Sequence, residues 1–221
     1  MTAPAWQADP YTDALRTERG PLFLRRPDGW LLPLDVERWC AKPDEADQTV
    51  LDRCRGAVLD IGCGPGRLVA ALAVRGRPAL GIDVSPEAVA RTTRIGGSAL
   101  RRSVFDPLPR EGAWDTALLI DGNIGIGGDP VALLGRAAEL LARRGALIVE
   151  SAPVEVDERA EVRVFAGPGA EGALFPWARV GAGALRRYAG AVGWEVVESW
   201  ESAGRCFVRL GRGSPPPVPF P

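Results

Sequence analysis

The run Val58-Leu59-Asp60-Ile61-Gly62-Cys63-Gly64-Pro65-Gly66-Arg67 constrains the fold of this chain more than any other stretch. Apolar residues around Asp60 read as a short buried strand, three glycines at every second position form a tight turn, and a helix starts near Arg67. Glycine reaches φ > 0 without strain and carries no side chain, so backbone here can approach a bound molecule closely. The free N–H groups at the start of the next helix favour a carboxylate or another anion. Such a loop belongs to an open α/β sheet, where ligands sit at the carboxyl ends of the strands.

The spacing is G-x-G-x-G, whereas a dinucleotide fingerprint needs G-x-G-x-x-G. Asp60 just before the first glycine would repel a pyrophosphate but suits an ammonium or a ribose hydroxyl. The run resembles the first motif of the class I S-adenosylmethionine-dependent methyltransferases, D-x-G-x-G-x-G. That resemblance implies that Asp60, Gly62, Cys63, Gly64 and Gly66 cradle the amino-acid end of S-adenosylmethionine. A second apolar strand, Ala79–Asp83, follows about twenty residues on, as a βαβ unit requires. Asp83 would hold both ribose hydroxyls, with Val84 beside it, a role shared by nicotinamide enzymes. Ser85 as N-cap, Pro86 at the first helical position and Glu87 start the next helix.

Strand and helix signals then alternate. Ala99–Phe105 and Trp114–Ile120 read as strands, Val131–Arg143 as a helix opened by Asp129-Pro130 and stopped by Gly145, and Ala146–Val149 as a fifth strand. Gly183–Gly193 reads as a helix, and Trp194–Trp200 with Arg205–Leu210 as an antiparallel hairpin. The expected fold is α/β: a seven-stranded, mostly parallel sheet with helices on both faces and a C-terminal antiparallel hairpin. The core spans 51–210, with an insertion at 153–181 expected to wall the substrate site and a Pro-rich tail at 211–221. Residues 1–50 stand outside it. Leu22–Leu24 and Trp30–Leu32 flank an Asp28-Gly29 turn, and Asp35 caps a helix through Trp39. This segment either forms a lid, as in many of the resembled enzymes, or packs onto the core through its tryptophans.

The same resemblance sets adenine against Ser103 and Val104, with Asp106 as the other alignment of the acid often found there. It sets Asp121 and Asn123, after the fourth strand, beside the methionine moiety and the transferred methyl. Histidine is absent, so a proton acceptor has to come from Asp121, Glu150, Glu155 or Tyr188. Asp121, Asn123 and Glu150 form the candidate catalytic set. In the insertion, Arg159 and Arg179 suggest a carboxylate or phosphate on the acceptor, and Phe175 and Trp177 an apolar or aromatic body. Trp114-Asp115 and Trp194 read as packing anchors.

Composition narrows the partners. A net charge of −1 over 221 residues argues against a nucleic-acid surface, which needs excess positive charge. No apolar run approaches the about 18 residues of a membrane span, and Met1–Trp6 lacks a signal-peptide layout. Cys40, Cys54, Cys63 and Cys206 have no metal-ligand spacing, so no metal is expected, and free thiols suit a reducing cytoplasm. Lys42 is the only lysine among many arginines, a bias typical of GC-rich bacterial genomes. The reading is methyl transfer from S-adenosylmethionine to an O, N or S atom of a small molecule, leaving S-adenosylhomocysteine. The alternatives are an NAD(P)-dependent oxidoreductase, which the missing Tyr-x-x-x-Lys disfavours, or a non-catalytic S-adenosylmethionine-binding protein. Oligomeric state is left open.

Overall fold

The computed structural model describes residues 9–212. Its larger sheet has seven strands in the order Trp194–Ser202 (β11), Arg205–Arg212 (β12), Leu141–Ser151 (β7), Trp114–Leu119 (β6), Val58–Ile61 (β3), Ala79–Asp83 (β4) and Ala99–Arg101 (β5). β3, β4, β5, β6 and β7 run parallel. β11 and β12 form the hairpin that closes one edge, with β12 antiparallel to β7. β3 is buried at all four positions, because both faces of a parallel sheet are covered. Alternate residues serve opposite cores. Leu59 and Ile61 pack with Leu134, Leu185 and Trp194, while Val58 packs with Leu51, Leu72 and Phe207. The first core lies under α6 (Pro130–Leu140) and α7 (Ala182–Ala191), the second under α3 (Glu45–Arg53) and α4 (Arg67–Val74). The fold is the α/β architecture expected from the sequence.

Several boundaries differ, and two elements end earlier than expected for a clear local reason. The third strand stops at Arg101, because residues 103–106 fold into a turn in which Ser103 N donates to Asp106 Oδ2 (3.1 Å) and Phe105 N to Ser103 Oγ (3.2 Å). α6 ends at Leu140 rather than Arg143, and Leu141 already pairs with Trp114. Gly145 is not a helix stop. A Cβ there would lie 2.9 Å from Trp114 O, so the glycine lets β7 pass close to β6.

The N-terminal segment and the insertion are one layer, not two. β1 (Leu22–Arg25) and β2 (Leu31–Leu34) form a hairpin around Asp28-Gly29, with Arg26 N donating to Trp30 O (2.9 Å). β8 (Asp157–Gly167), β9 (Ala170–Glu171) and β10 (Phe175–Val180) come from the insertion. β8 lies between β10 and β1, giving a second, antiparallel sheet in the order β10-β8-β1-β2, with β9 on β8. Phe23 sits opposite Phe165, and Arg25 and Arg163 both reach Glu171 (2.9 and 2.8 Å). An isolated bridge between Ile126 and Trp177 ties this sheet to the loop after β6.

Two helices complete the cover. α2 (Val36–Cys40) is capped by Asp35, and α1 (Asp9–Thr17) was not foreseen. Just beyond α1, Glu18 pairs with Arg91, and Arg16 pairs with Glu87 (3.2 Å), fastening α1 to α5 (Pro86–Arg94). Gly211 and Arg212 belong to β12 rather than to the tail. The remaining tail residues, 213–221, and Met1–Trp6 lie outside the described residues. Among the described residues no helix is long and apolar enough to cross a membrane.

Candidate active site

The strand-to-helix turn after β3 is built so that only glycine fits. Gly62 has φ +71°, and a Cβ there would stand 2.7 Å from Asn123 Nδ2. Asn123 uses that amide to hold the loop, donating to Ile61 O and Gly62 O at 2.9 Å each. Gly66 has φ +88°, with Thr92 Oγ1 2.3 Å from where a Cβ would be. Thr92 is buried and its hydroxyl lies 3.1 Å from Gly64 O, so α5 braces the turn from behind.

Two strand-end acids face this turn. Asp60 is 3% exposed, and burial pushes its carboxyl up to about 7 against the pull of Arg67. Asp83 accepts from Gly64 N (2.9 Å) and Ser85 N (2.8 Å). Burial lifts its carboxyl to about 6, the backbone donors opposing.

The turn, Asp83 and the second sheet enclose a cavity of about 270 Å³. Of the expected site residues, Gly62, Cys63, Gly64, Asp83, Val84, Ser103, Val104, Asp121, Asn123, Phe175 and Trp177 line it. Asp60 and Gly66 lie behind the turn they shape. Glu150, Arg159 and Arg179 are not on the wall. Glu150 accepts Asp121 N (2.7 Å) and is held by Arg205 (2.7 Å to Oε2). Arg159 stacks over Tyr188 (5.4 Å) and Arg179 over Trp30 (4.8 Å), the latter bonded to Glu158 (3.1 Å). Glu155 accepts Gly183 N (3.2 Å) at the start of α7, and Tyr188 donates to Asp157 (2.6 Å). Trp114 and Trp194 donate their indole N–H groups to Pro109 O and Leu134 O, as anchors do.

The wall also holds residues the sequence did not mark, among them Tyr11, Trp39 and Arg67. Arg67 carried one signal: a cation in the first turn of a helix opposes the macrodipole and needs carboxylates to hold it. It has them. Its Nε and Nη2 bond Asp47 Oδ2 (2.7 Å) and Oδ1 (2.9 Å), and its Nη1 bonds Asp121 Oδ2 (2.8 Å). Asp121 has φ 58°, and its Oδ1 accepts Arg38 (2.8 Å) and Arg205 (3.2 Å). Burial alone would raise the Asp121 carboxyl, but Arg67, Arg38 and Arg205 together hold it below the usual range. Likewise Arg67 and Arg205 outweigh burial at Asp47 and bring it to about 2. Removing one partner from a buried set of this kind costs about 3–5 kcal/mol, because the other charge is stranded.

This arrangement fits S-adenosylmethionine. The turn leaves backbone bare, acids stand at two neighbouring strand ends, and Ser103 and Val104 border the same cavity. A family model described as "Methyltransferase domain" matches residues 27–199. A Bacteroides fragilis S-adenosylmethionine-dependent methyltransferase, solved with S-adenosyl-L-homocysteine, superposes with TM-score 0.77 at 22% identity, covering 96% of this chain and 97% of that one. The CcbJ methyltransferase of Streptomyces caelestis gives TM-score 0.63 at 14% identity, covering 97% and 100%. The sugar N-methyltransferase KedS8 of a Streptoalloteichus species gives 0.56 at 19%, covering 80% and 88%. At these identities the structural likenesses speak for the fold, and the family match speaks for the chemistry. The chain belongs to the methyltransferase-domain family and is a class I S-adenosylmethionine-dependent methyltransferase.

Proposed function

We propose that the methyl acceptor is a small molecule with a flat apolar or aromatic body, bound between the glycine turn and the second sheet. The observation that carries this reading is the chemistry of the wall: Leu24, Leu34, Trp39, Ile126, Phe175 and Trp177 line the cavity together. Phe175 and Trp177 meet edge to face (6.1 Å between ring centres), a rigid surface for a planar group. Four charged residues line the cavity; Arg67 and Asp121 are paired with each other, and Asp83 and Arg102 stand with Val84 and Ser103 on the cofactor side in this reading. Arg159 and Arg179, engaged elsewhere, give no support to an anionic acceptor.

S-adenosylmethionine supplies an electrophilic methyl group on a sulfonium. The residues here contribute orientation and exclusion of water. In this reading Asp83 takes the ribose hydroxyls, Asp60 sits behind the turn that receives the ammonium, and Ser103 and Val104 border adenine. Asn123 keeps the turn in shape. Asp121 and Glu150 act as positioning residues: three guanidinium groups occupy the first, and the second is turned to Asp121 N and Arg205. Burial pushes the Tyr11 phenol and the Cys63 thiol up, so neither readily takes a proton role at neutral pH. Alignment and desolvation then supply most of the acceleration. Such a site favours a nucleophile that carries a free lone pair on arrival. Four free cysteines support a reducing cytoplasm as the place of action.

Calorimetric titration with S-adenosylmethionine, S-adenosylhomocysteine and NADH tests the cofactor half. Binding of the first two and its loss in Asp83→Ala are expected; binding of NADH alone would overturn the reading. For the acceptor half, a set of small aromatic amines, phenols and thiols screened by product mass should yield turnover that Trp177→Ala removes while S-adenosylhomocysteine affinity stays. Turnover only with polar, non-planar acceptors would contradict it.

A further inference from the structure

The Arg67 guanidinium has five N–H groups, and the carboxylates around it use four. Nε donates to Asp47 Oδ2, and Nη2 to Asp47 Oδ1 (2.9 Å) and Asp121 Oδ1 (3.3 Å). Nη1 donates to Asp121 Oδ2, which leaves one Nη1–H. The side chain is 5% exposed, yet it lines the cavity next to Gly64 and Pro65. A fixed cation with one unused donor on the wall of a ligand cavity is set to receive an anionic oxygen.

The start of α4 adds an independent observation. α2, α3, α5 and α6 are each capped by a side chain: Asp35, Asp44, Ser85 and Asp129. α7 borrows Glu155. α4, which begins at Arg67, has Gly66 as its N-cap, no side-chain cap and no acid in its first turn. Arg67, Gly64 and Pro65 at this helix end all line the cavity, and among the described residues no side chain caps it.

We infer that Arg67 anchors the carboxylate of the cofactor's amino-acid end, and that Asp47 and Asp121 are its positioning residues. The inference rests on the methyltransferase reading and names a side chain for a contact otherwise left to backbone. The two aspartates hold the fork from two sides, so the guanidinium loses little freedom when the carboxylate arrives. Asp47 comes from α3 and Asp121 from just beyond β6, and through them the fork is tied to a covering helix and to the sheet itself.

The test compares two ligands by calorimetry: S-adenosylhomocysteine, and 5′-methylthioadenosine, which keeps the nucleoside and lacks the amino-acid end. In Arg67→Gln the first should weaken by roughly tenfold or more, the worth of one hydrogen bond to a charged group, while the second stays within about twofold. Equal weakening of both would mean that Arg67 merely supports the fold and would overturn the inference, as would no weakening of either. If Arg67→Gln does not fold, Arg67→Lys keeps the charge between the aspartates but not the planar fork. The same selective loss, smaller in size, is then expected, and equal loss again overturns it. Failure of the unaltered chain to bind either ligand would bring down the cofactor reading itself.

Discussion

At Asp60 stability and ligand binding pull in opposite directions. Burial raises its carboxyl to about 7 against the pull of Arg67. The unfolded chain has the ordinary carboxyl value of about 4. Between those values the folded state holds the proton and the unfolded state does not, so folding stability falls as pH rises from about 4 to about 7. Asp60→Asn removes that penalty. Thermal unfolding should show the variant gaining on the parent chain at about pH 8 and not at about pH 4, while its affinity for S-adenosylmethionine drops. An equal difference at both pH values would sink the argument. Asp60 and the turn were legible because strand, acid and glycine lie within ten consecutive residues, and Asp83 because it ends the next apolar strand. The clamp on Asp121 was not, because Arg38, Arg67 and Arg205 reach it from α2, α4 and β12. No local pattern joins them.

For the elements, the glycine turn and its following helix offer a controlled comparison. Gly66 and Gly76 flank α4 and both have left-handed backbone, at φ +88° and +69°. Gly76 has nothing within 4 Å of a would-be Cβ, whereas Gly66 has Thr92 Cβ at 2.6 Å as well as its hydroxyl. Gly76→Ala should therefore cost only the left-handed penalty of about 1–2 kcal/mol in urea unfolding. Gly66→Ala should cost clearly more and lower cofactor affinity too; equal costs would show that α5 yields easily. β3, β4 and the closing hairpin followed from apolar runs and their spacing. β5 came out shorter because Ser103 and Asp106 turn the chain on themselves, and α6 shorter because Leu141 gains more by pairing with Trp114. Propensity in a single segment does not register such tertiary competition.

Across the whole molecule, the least legible feature is that the N-terminal hairpin and the insertion make a single sheet. Period-two patterning marks a strand but not its partner, and Phe23 finds Phe165 far along the chain. If these segments act together over the ligand, S-adenosylhomocysteine should slow amide hydrogen exchange in residues 22–34 and 157–180 in parallel. Protection confined to one segment would contradict the shared sheet.

That shared sheet has a further consequence for how such a chain diversifies. The seven-stranded sheet commits the chain to its cofactor through the turn after β3, while Trp177 and Phe175 on β10, with Leu24 on β1, border the space left for the acceptor. β8 lies between those two strands and pairs with both. Drift in acceptor preference is consequently a paired inheritance. A change in Leu22–Arg25 has to be answered across the ladder in Asp157–Gly167, although the intervening chain, with the whole cofactor turn inside it, stays as it was.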